Sequence, residues 1–464
     1  MWRWEQNGRW PSLLIVSTVV AGLSFGASSQ AGAWSLEEAA APYKGQSIRV
    51  ICDGYSPCLA YQQLAKEFAD KTGIGVSVEV ADLLQVQQQI LTDALTGTQV
   101  YDVAQIISWS VGVWGEQQFA TPLSKFLDDP KLHDPAFAVS DFVPENFQMT
   151  SVYKDQVIGL PFHYIPPYAI YRKDIAGDPG ERAAFKAKYG YDLPLTGEKY
   201  ATVDTWDQWR DIAEFFTRKA GDKVAGVARD TPMYGVTAAF KRHLTVLYDY
   251  ERILLGMGGE VLDADGKVKL DSPEALKALE YMLSLRKFAP PSYQEYTWDE
   301  QYSDFCAGNL FSTFSWGDTT PFLESSTDCP ASAGKLGYFP HPGTHKTVAE
   351  GQGWAIPSKA PHPEAAFLFL QWIDSKDVQA KCQGMGCVTP RADVLRMSNW
   401  DNDGNIVMGR QIMDNGWLYV RPHPPSLLNI QEIMMDELSA AGADQVDAKT
   451  AIANMTERIR KAME

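Results

Sequence analysis

The 464-residue chain is predicted to fold as α/β in two lobes, the first begun as a doubly wound parallel sheet. Three observations predict it. Strand-like and helix-like segments alternate from Ser47 onward, the pattern of successive βαβ units. The chain is longer than one growing core accommodates, so it divides. Two adjacent prolines, Pro166 and Pro167, then break the alternation and stiffen an extended passage between the two parts.

Residues 1–33 stand apart from this pattern. Arg3 and Arg9 form a basic start, Leu13 to Ala27 is apolar but short and broken by Ser and Gly, and Ala31-Gly32-Ala33 fits a cleavage site. This predicts a secretory signal. No later apolar run approaches about 18 residues, and the first cysteine, Cys52, is far from the cleavage site, so the mature chain is expected to be exported, soluble and not lipid-anchored.

Ser47 to Cys52 is a strand, and Pro57 opens a helix with Tyr61, Leu64, Ala65 and Phe68 on one face, ended by Gly73. Val76, Val78 and Val80 alternate in a second strand, Leu83 to Leu95 has helical periodicity, and Val103 to Ile107 is a short buried third strand. Leu127 to Pro144, rich in Pro and Asp, is expected at the surface. Thr205-Trp-Asp-Gln208 is a capping box for a helix that buries Trp209, Ile212, Ala213 and Phe216. Asp263 to Lys267 contains a D-G turn, and Ser272-Pro273 caps and starts a helix carrying Leu276, Leu279 and Leu283.

The formal net charge of −17 disfavours a nucleic-acid or anionic-membrane partner. Six cysteines fall into local pairs, Cys52/Cys58, Cys306/Cys329 and Cys382/Cys387, and in an exported chain this predicts three disulfides. Beyond residues 1–33 there is no G-x-S-x-G, no phosphate-binding G-x-x-x-x-G-K-[ST], no H-E-x-x-H and no G-x-G-x-x-G after the first strand. Neither catalysis nor a cofactor is expected. Asp401-Asn-Asp403-Gly-Asn405 starts like a calcium loop but holds Ile406 and Ile412 where such a loop needs Gly and Glu, so a D-G turn is the better reading. His341, His345, His362 and His423 lie among prolines and are read as surface residues without metal.

Aromatic residues recur where strands or extended segments end: Tyr55, Trp109, Tyr164 beside His163, Trp316 and Trp354. Ligands of open α/β sheets bind beyond the carboxyl ends of strands, so these positions are candidates for one cleft. Flat C–H faces of a sugar stack on such rings, while its hydroxyls need short polar groups such as Asp53, Ser108, Asp318 or Gln352.

With these motifs in order, the chain resembles the family 1 extracellular solute-binding proteins, the maltose-binding-like receptors of ATP-driven sugar importers. The markers are Ala65-Lys-Glu-Phe68 with Thr72-Gly73-Ile74, Ala94-Leu-Thr-Gly97 before Tyr101-Asp-Val103, and Gly159-Leu-Pro161 leading to Tyr171-Arg-Lys-Asp174. Thr205-Trp-Asp207, Asp271-Ser-Pro-Glu274, Phe305 to Gly308 leading to Trp316, Gly353 to Pro357 with Glu364-Ala-Ala366, and Thr389-Pro-Arg391 continue the series. The resemblance implies a periplasmic binding protein fold, each lobe a doubly wound sheet with flanking helices, with three hinge crossovers near Ile165 to Ala169, just before Gly351 and near Trp400 to Asn405. It divides the mature chain into a first lobe of residues 34–165 and 351–402 and a second of 166–350 and 403–464.

It further implies a monomeric receptor that captures a sugar or polyol and delivers it to ABC transporter permease subunits. Trp316 ranks first as a stacking platform. Trp354 follows, with its flanking glycines read as allowing close approach to a ligand or the opposing lobe. Two departures are the cysteines, which place a disulfide beside Tyr55-Ser-Pro-Cys58, and the Asp178 to Lys199 segment, an apparent insertion. Two other readings stay open: a secreted carbohydrate-active enzyme, and a receptor for a phosphorylated or sulfonated compound held by Arg172, Arg391 or Lys154.

Overall fold

The computed structural model describes residues 34–464, save Tyr55 and the Ser56 side chain; the expectations of a secretory signal in residues 1–33 and of a role for Tyr55 fall outside the described residues. β1 (Ser47–Asp53) leads into α1 (Ser56–Thr72), whose Tyr61, Leu64, Ala65 and Phe68 are buried. Gly73, at φ 72°, supplies the left-handed turn that stops the helix. β2 (Gly75–Ala81), α2 (Leu83–Thr96, capped by Asp82) and the fully buried β3 (Val103–Ile107) follow. β1 pairs in parallel with both β2 and β3.

Beyond α3 (Pro144–Ser151), β4 (Leu160–Ile165) joins the first sheet, while β5 (Pro167–Arg172) belongs to another, so the chain changes sheets at Pro166. The Asp178 to Lys199 segment contains α4 (Pro179–Tyr189), and its Phe185, Leu193 and Leu195 are buried in the second core. α5 (Trp206–Phe215) starts at the capping box of Thr205 and Gln208, with Trp209 only 1% exposed. Next come α6 (Leu244–Gly256), buried at almost every position, and α7 (Pro273–Ser284), capped by Ser272. α8 (Trp298–Cys306), β6 (Ser312–Trp316) and β7 (Leu336–Phe339) complete this part.

The chain then passes through β8 (Thr347–Val348) into β9 (Glu350–Ala355), which re-enters the first sheet, and α9 (Pro363–Ile373) covers it. α10 (Gly404–Asp414), β10 (Leu418–Tyr419), α11 (Leu427–Gly442) and α12 (Ala448–Ala462) end the fold. The first sheet has the order β2-β1-β3-β9-β4, parallel through β3 and antiparallel where β9 enters. Among the described residues the strand–helix–strand winding lies in this sheet, so the expectation of a doubly wound sheet in each lobe holds for the first lobe and is corrected for the second. The second sheet, β6-β5-β7, is antiparallel throughout, and its lobe is built mainly from helices around Trp209, Phe216 and Phe311. A short parallel ladder of β8 with β10 lies between.

Several expectations are corrected. Leu127 to Pro144 is no simple surface stretch, because Leu132, Phe137, Phe142 and Val143 are buried against the first core or its edge. Asp403 caps α10 by accepting from the N–H groups of Asn405 and Ile406, so the Asp401 to Asn405 stretch is a helix start rather than a hairpin turn. His341 is 1% exposed beside Phe314, and His362 bonds to Asp102, so neither is a free surface residue. All three expected disulfides are present: Cys52–Cys58, Cys306–Cys329 and Cys382–Cys387.

Trp354 is the largest correction. It is fully buried in the first core, with its ring 4.6 Å from Phe162 and 5.8 Å from Tyr61. Gly353 before it and Gly351 are glycines because α3 crosses β9 closely: a Cβ on Gly353 would stand 2.4 Å from the Thr150 carbonyl, and one on Gly351 2.7 Å from Asn146 Nδ2. The close approach is to a helix of the same lobe, not to a ligand. Trp354→Ala is therefore expected to cost about 3–5 kcal/mol of apo stability through the cavity it leaves, measured by denaturant unfolding.

Candidate functional site

β1, β3 and the antiparallel β9 place three chain segments at one end of the first sheet: the carboxyl ends of β1 and β3, and the start of β9. Facing them are α6, α8 and the end of β6 from the second lobe. Between the two groups lies a cleft of about 580 Å³. Trp109, Ile107, Glu350 and Gln352 line one wall; Tyr248, Trp298, Tyr302, Trp316 and Asp318 line the other. That size suits a small ligand of a few polar groups.

The second-lobe wall is a packed aromatic cluster. Trp316 stands at right angles to Trp298, 6.0 Å between centroids, and to Tyr248, 5.1 Å away. Behind it, the guanidinium of Arg252 lies 4.7 Å from the Trp316 ring and 5.2 Å from Phe314. Arg252 is itself buried and bonded to Asp249 at 3.2 Å. A cation against the ring's electron-rich face holds its orientation without using a hydrogen bond.

The polar groups come mainly from the first lobe. Gln352 donates from Nε2 to Asp53 at 3.0 Å, Gln105 donates to the same carboxylate oxygen at 2.9 Å, and Gln352 Oε1 is buried without a protein partner. Glu350 accepts from Ser108 Oγ, from Tyr248 O–H at 3.0 Å and from Arg421. Arg421 in turn grips both carboxylate oxygens of Glu251 on α6, at 3.0 and 3.1 Å. On the far wall Asp318 accepts a 3.3 Å bond from Thr319 and has no ion-pair partner among the described residues. Burial pushes its carboxyl up to about 6.

Of the residues expected from sequence, Trp109, Trp316, Asp318 and Gln352 meet in the cleft, while Asp53 and Ser108 stand one hydrogen bond behind it. Trp354, Tyr164 and His163 do not. Tyr164 is buried and donates to the Gly409 carbonyl, and His163 is fully buried beside Phe162, where burial lowers its pKa to about 3. The reason is depth along the strands: β9 runs antiparallel to β3, so only its first residues reach the cleft, and Trp354 lies below the helix layer. Sequence reasoning missed Glu350, Tyr248 and Trp298. Thr297-Trp-Asp-Glu300 and Thr205-Trp-Asp-Gln208 are near-identical capping boxes, and nothing local distinguishes the tryptophan at the cleft, Trp298, from Trp206, which is buried in the second core.

The family model for bacterial extracellular solute-binding proteins matches residues 59–380 of this chain. The chain belongs to that family. A solute-binding protein of an ABC transporter from Agrobacterium radiobacter K84, solved in complex with ribitol, superposes with a TM-score of 0.73 at 22% identity, over 90% of this chain and 99% of that one. An erythritol/L-threitol-binding protein of Mycolicibacterium smegmatis is 21% identical over 390 residues, 81% of this chain and 75% of its own length. A probable amino-acid ABC transporter periplasmic-binding protein of Sinorhizobium fredii is 20% identical over 386 residues, 81% and 80% of the two chains. The two-lobed fold is shared with the solved receptor, and no described helix is long and apolar enough to cross a membrane.

The raised pKa of Asp318 has a stability consequence for this family member. Its folded form binds the proton more tightly than the unfolded chain, so ionised Asp318 costs stability; the cost is full above about pH 6 and vanishes below the ordinary value of 3.8. Asp318→Asn is expected to melt higher than the parent at pH 7.5, with the two melting temperatures converging as pH falls toward 4 in a calorimetric series.

Proposed function

We propose that the protein is the periplasmic receptor of an ABC importer, capturing a carbohydrate or polyol between its lobes and delivering it unchanged to membrane permease subunits. The observation that carries this reading is the cleft's lining: aromatic walls beside Glu350, Gln352 and Asp318, with no Lys, Arg or His among the lining residues. A neutral, donor-rich ligand with C–H faces fits that chemistry. The relatives that bind ribitol, and erythritol or L-threitol, support it. Secretion through residues 1–33 and hinge closure around Pro166, β8–β9 and Trp400 to Asn405 belong to the same reading.

An anionic ligand is disfavoured. Lys154 pairs with Glu116 at 2.6 Å, Arg172 with Asp174 at 2.6 Å, and Arg391 with Asp141 at 2.7 Å and Asp393 at 2.9 Å; none of the three lines the cleft. The same argument counts against a free amino acid, whose carboxylate finds no cation there.

Isothermal calorimetry with erythritol, L-threitol and ribitol tests the proposal. At least one is expected to bind and to be recovered unchanged by mass spectrometry, and cleaved or oxidised product would instead indicate an enzyme. Trp316→Ala is expected to weaken that binding by roughly 1–3 kcal/mol, the worth of a large apolar face and its ring contacts.

A further inference from the structure

Glu350 lies where three parts of the molecule meet. The parallel ladder pairs Thr347 with Leu418 and Val348 with Tyr419; continued by two residues, that register sets Glu350 beside Arg421. Glu350 opens β9 and so belongs to the first sheet, whereas Tyr248 and Glu251 sit on α6 of the second lobe. Its side chain is almost wholly buried yet lines the cleft. A carboxylate has about four acceptor directions. Oε1 takes Tyr248 and Arg421, Oε2 takes Ser108, and one direction on Oε2 is left.

Stability alone is a poor reason for this arrangement, since desolvating a buried ion pair costs about what the pair returns. Here two carboxylates share one guanidinium, so a negative charge is left over in a buried place, satisfied only by hydrogen-bond donors. Two residues along the same strand face, Gln352 offers a second buried acceptor, Oε1, that no protein group fills. Alternate residues on a strand are about 6.6 Å apart, so the two acceptors ask for a ligand with at least two donors at a comparable separation.

We propose that Glu350 is a specificity-determining residue that binds a ligand hydroxyl beside Gln352, and that Arg421 is the positioning residue that fixes its carboxylate. This rests on the receptor reading above. Arg421 holds Oε1 and so leaves Oε2 turned to the cleft; the same guanidinium ties that geometry to Glu251 in the other lobe.

The test compares erythritol, L-threitol, ribitol and the monodeoxy forms of each on the parent, Glu350→Gln, Arg421→Gln and Arg421→Lys. Calorimetry gives affinity, and apo melting confirms that each variant is folded; the paired Glu251→Gln/Arg421→Gln variant replaces Arg421→Gln if a lone buried Glu251 prevents folding. Glu350→Gln is expected to lose roughly tenfold to hundredfold in affinity, the worth of a hydrogen bond to a charged group. One deoxy position that is penalised on the parent is expected to carry no further penalty on Glu350→Gln. Arg421→Gln, or its paired replacement, is expected to lose affinity likewise, with Arg421→Lys recovering part of it. Parental affinity in Glu350→Gln, or equal deoxy penalties on both proteins, would overturn the proposal while leaving the receptor reading intact. Absence of binding by all of the polyols to the parent rejects the polyol form of the receptor reading, and this proposal with it.

Discussion

The contact between Glu350 and Arg421 is the point on which the arrangement of the molecule turns. It lies beside the parallel ladder through which two strands pass between lobes, and each partner is held from a different side. Ser108, at the end of β3, fixes Glu350 to the first sheet, and Glu251 fixes Arg421 to α6. Because both groups are buried and charged, neither can shift without exposing an unpaired charge to a poorly solvating interior. The register of β8 with β10, the start of β9 and the seat of α6 are thus tied together, and the cleft inherits its shape from them.

Around that point the two walls follow different physical rules. The second-lobe wall is rigid by packing: Trp316 is held edge-to-face by Tyr248 and Trp298 and backed by Arg252, which is anchored to Asp249. The first-lobe wall is rigid by hydrogen bonds, with Gln105 and Gln352 both donating to Asp53. Asp318 is the exception, a half-buried carboxylate with no ion-pair partner among the described residues, raised to about 6. Groups held at such a cost concentrate where proteins bind ligands, because an incoming donor recovers what folding gave up. The disulfides support the same regions locally: Cys52–Cys58 closes the turn after β1, and Cys306–Cys329 ties α8 to the loop carrying Asp328 at the rim of the cleft.

Most of the first lobe was legible from residue pattern. Alternating valines in β2, the buried run of β3, the apolar face of α1 and the stop at Gly73 each depend on neighbours close in sequence, and each lies where that pattern places it. The capping box at Thr205 and the Ser272-Pro273 start are local in the same sense. The antiparallel second sheet was not legible, since β5, β6 and β7 are joined by long excursions that carry no pairing signal.

By itself, then, the sequence determined the local elements and the kind of side chain available for a ligand, and it favoured the local disulfide pairs without fixing them, because propensity, capping and short loop closure act over short stretches of chain. Tertiary structure alone decided which of those side chains face the cleft. Trp354 and Gln352 are two residues apart on one strand, yet the helix layer covers the first and leaves the second at the sheet's open end. Glu350 acquired its place from Arg421, Tyr248 and Ser108, partners 71 to 242 residues away that only the crossing of the chain between lobes brings to one carboxylate.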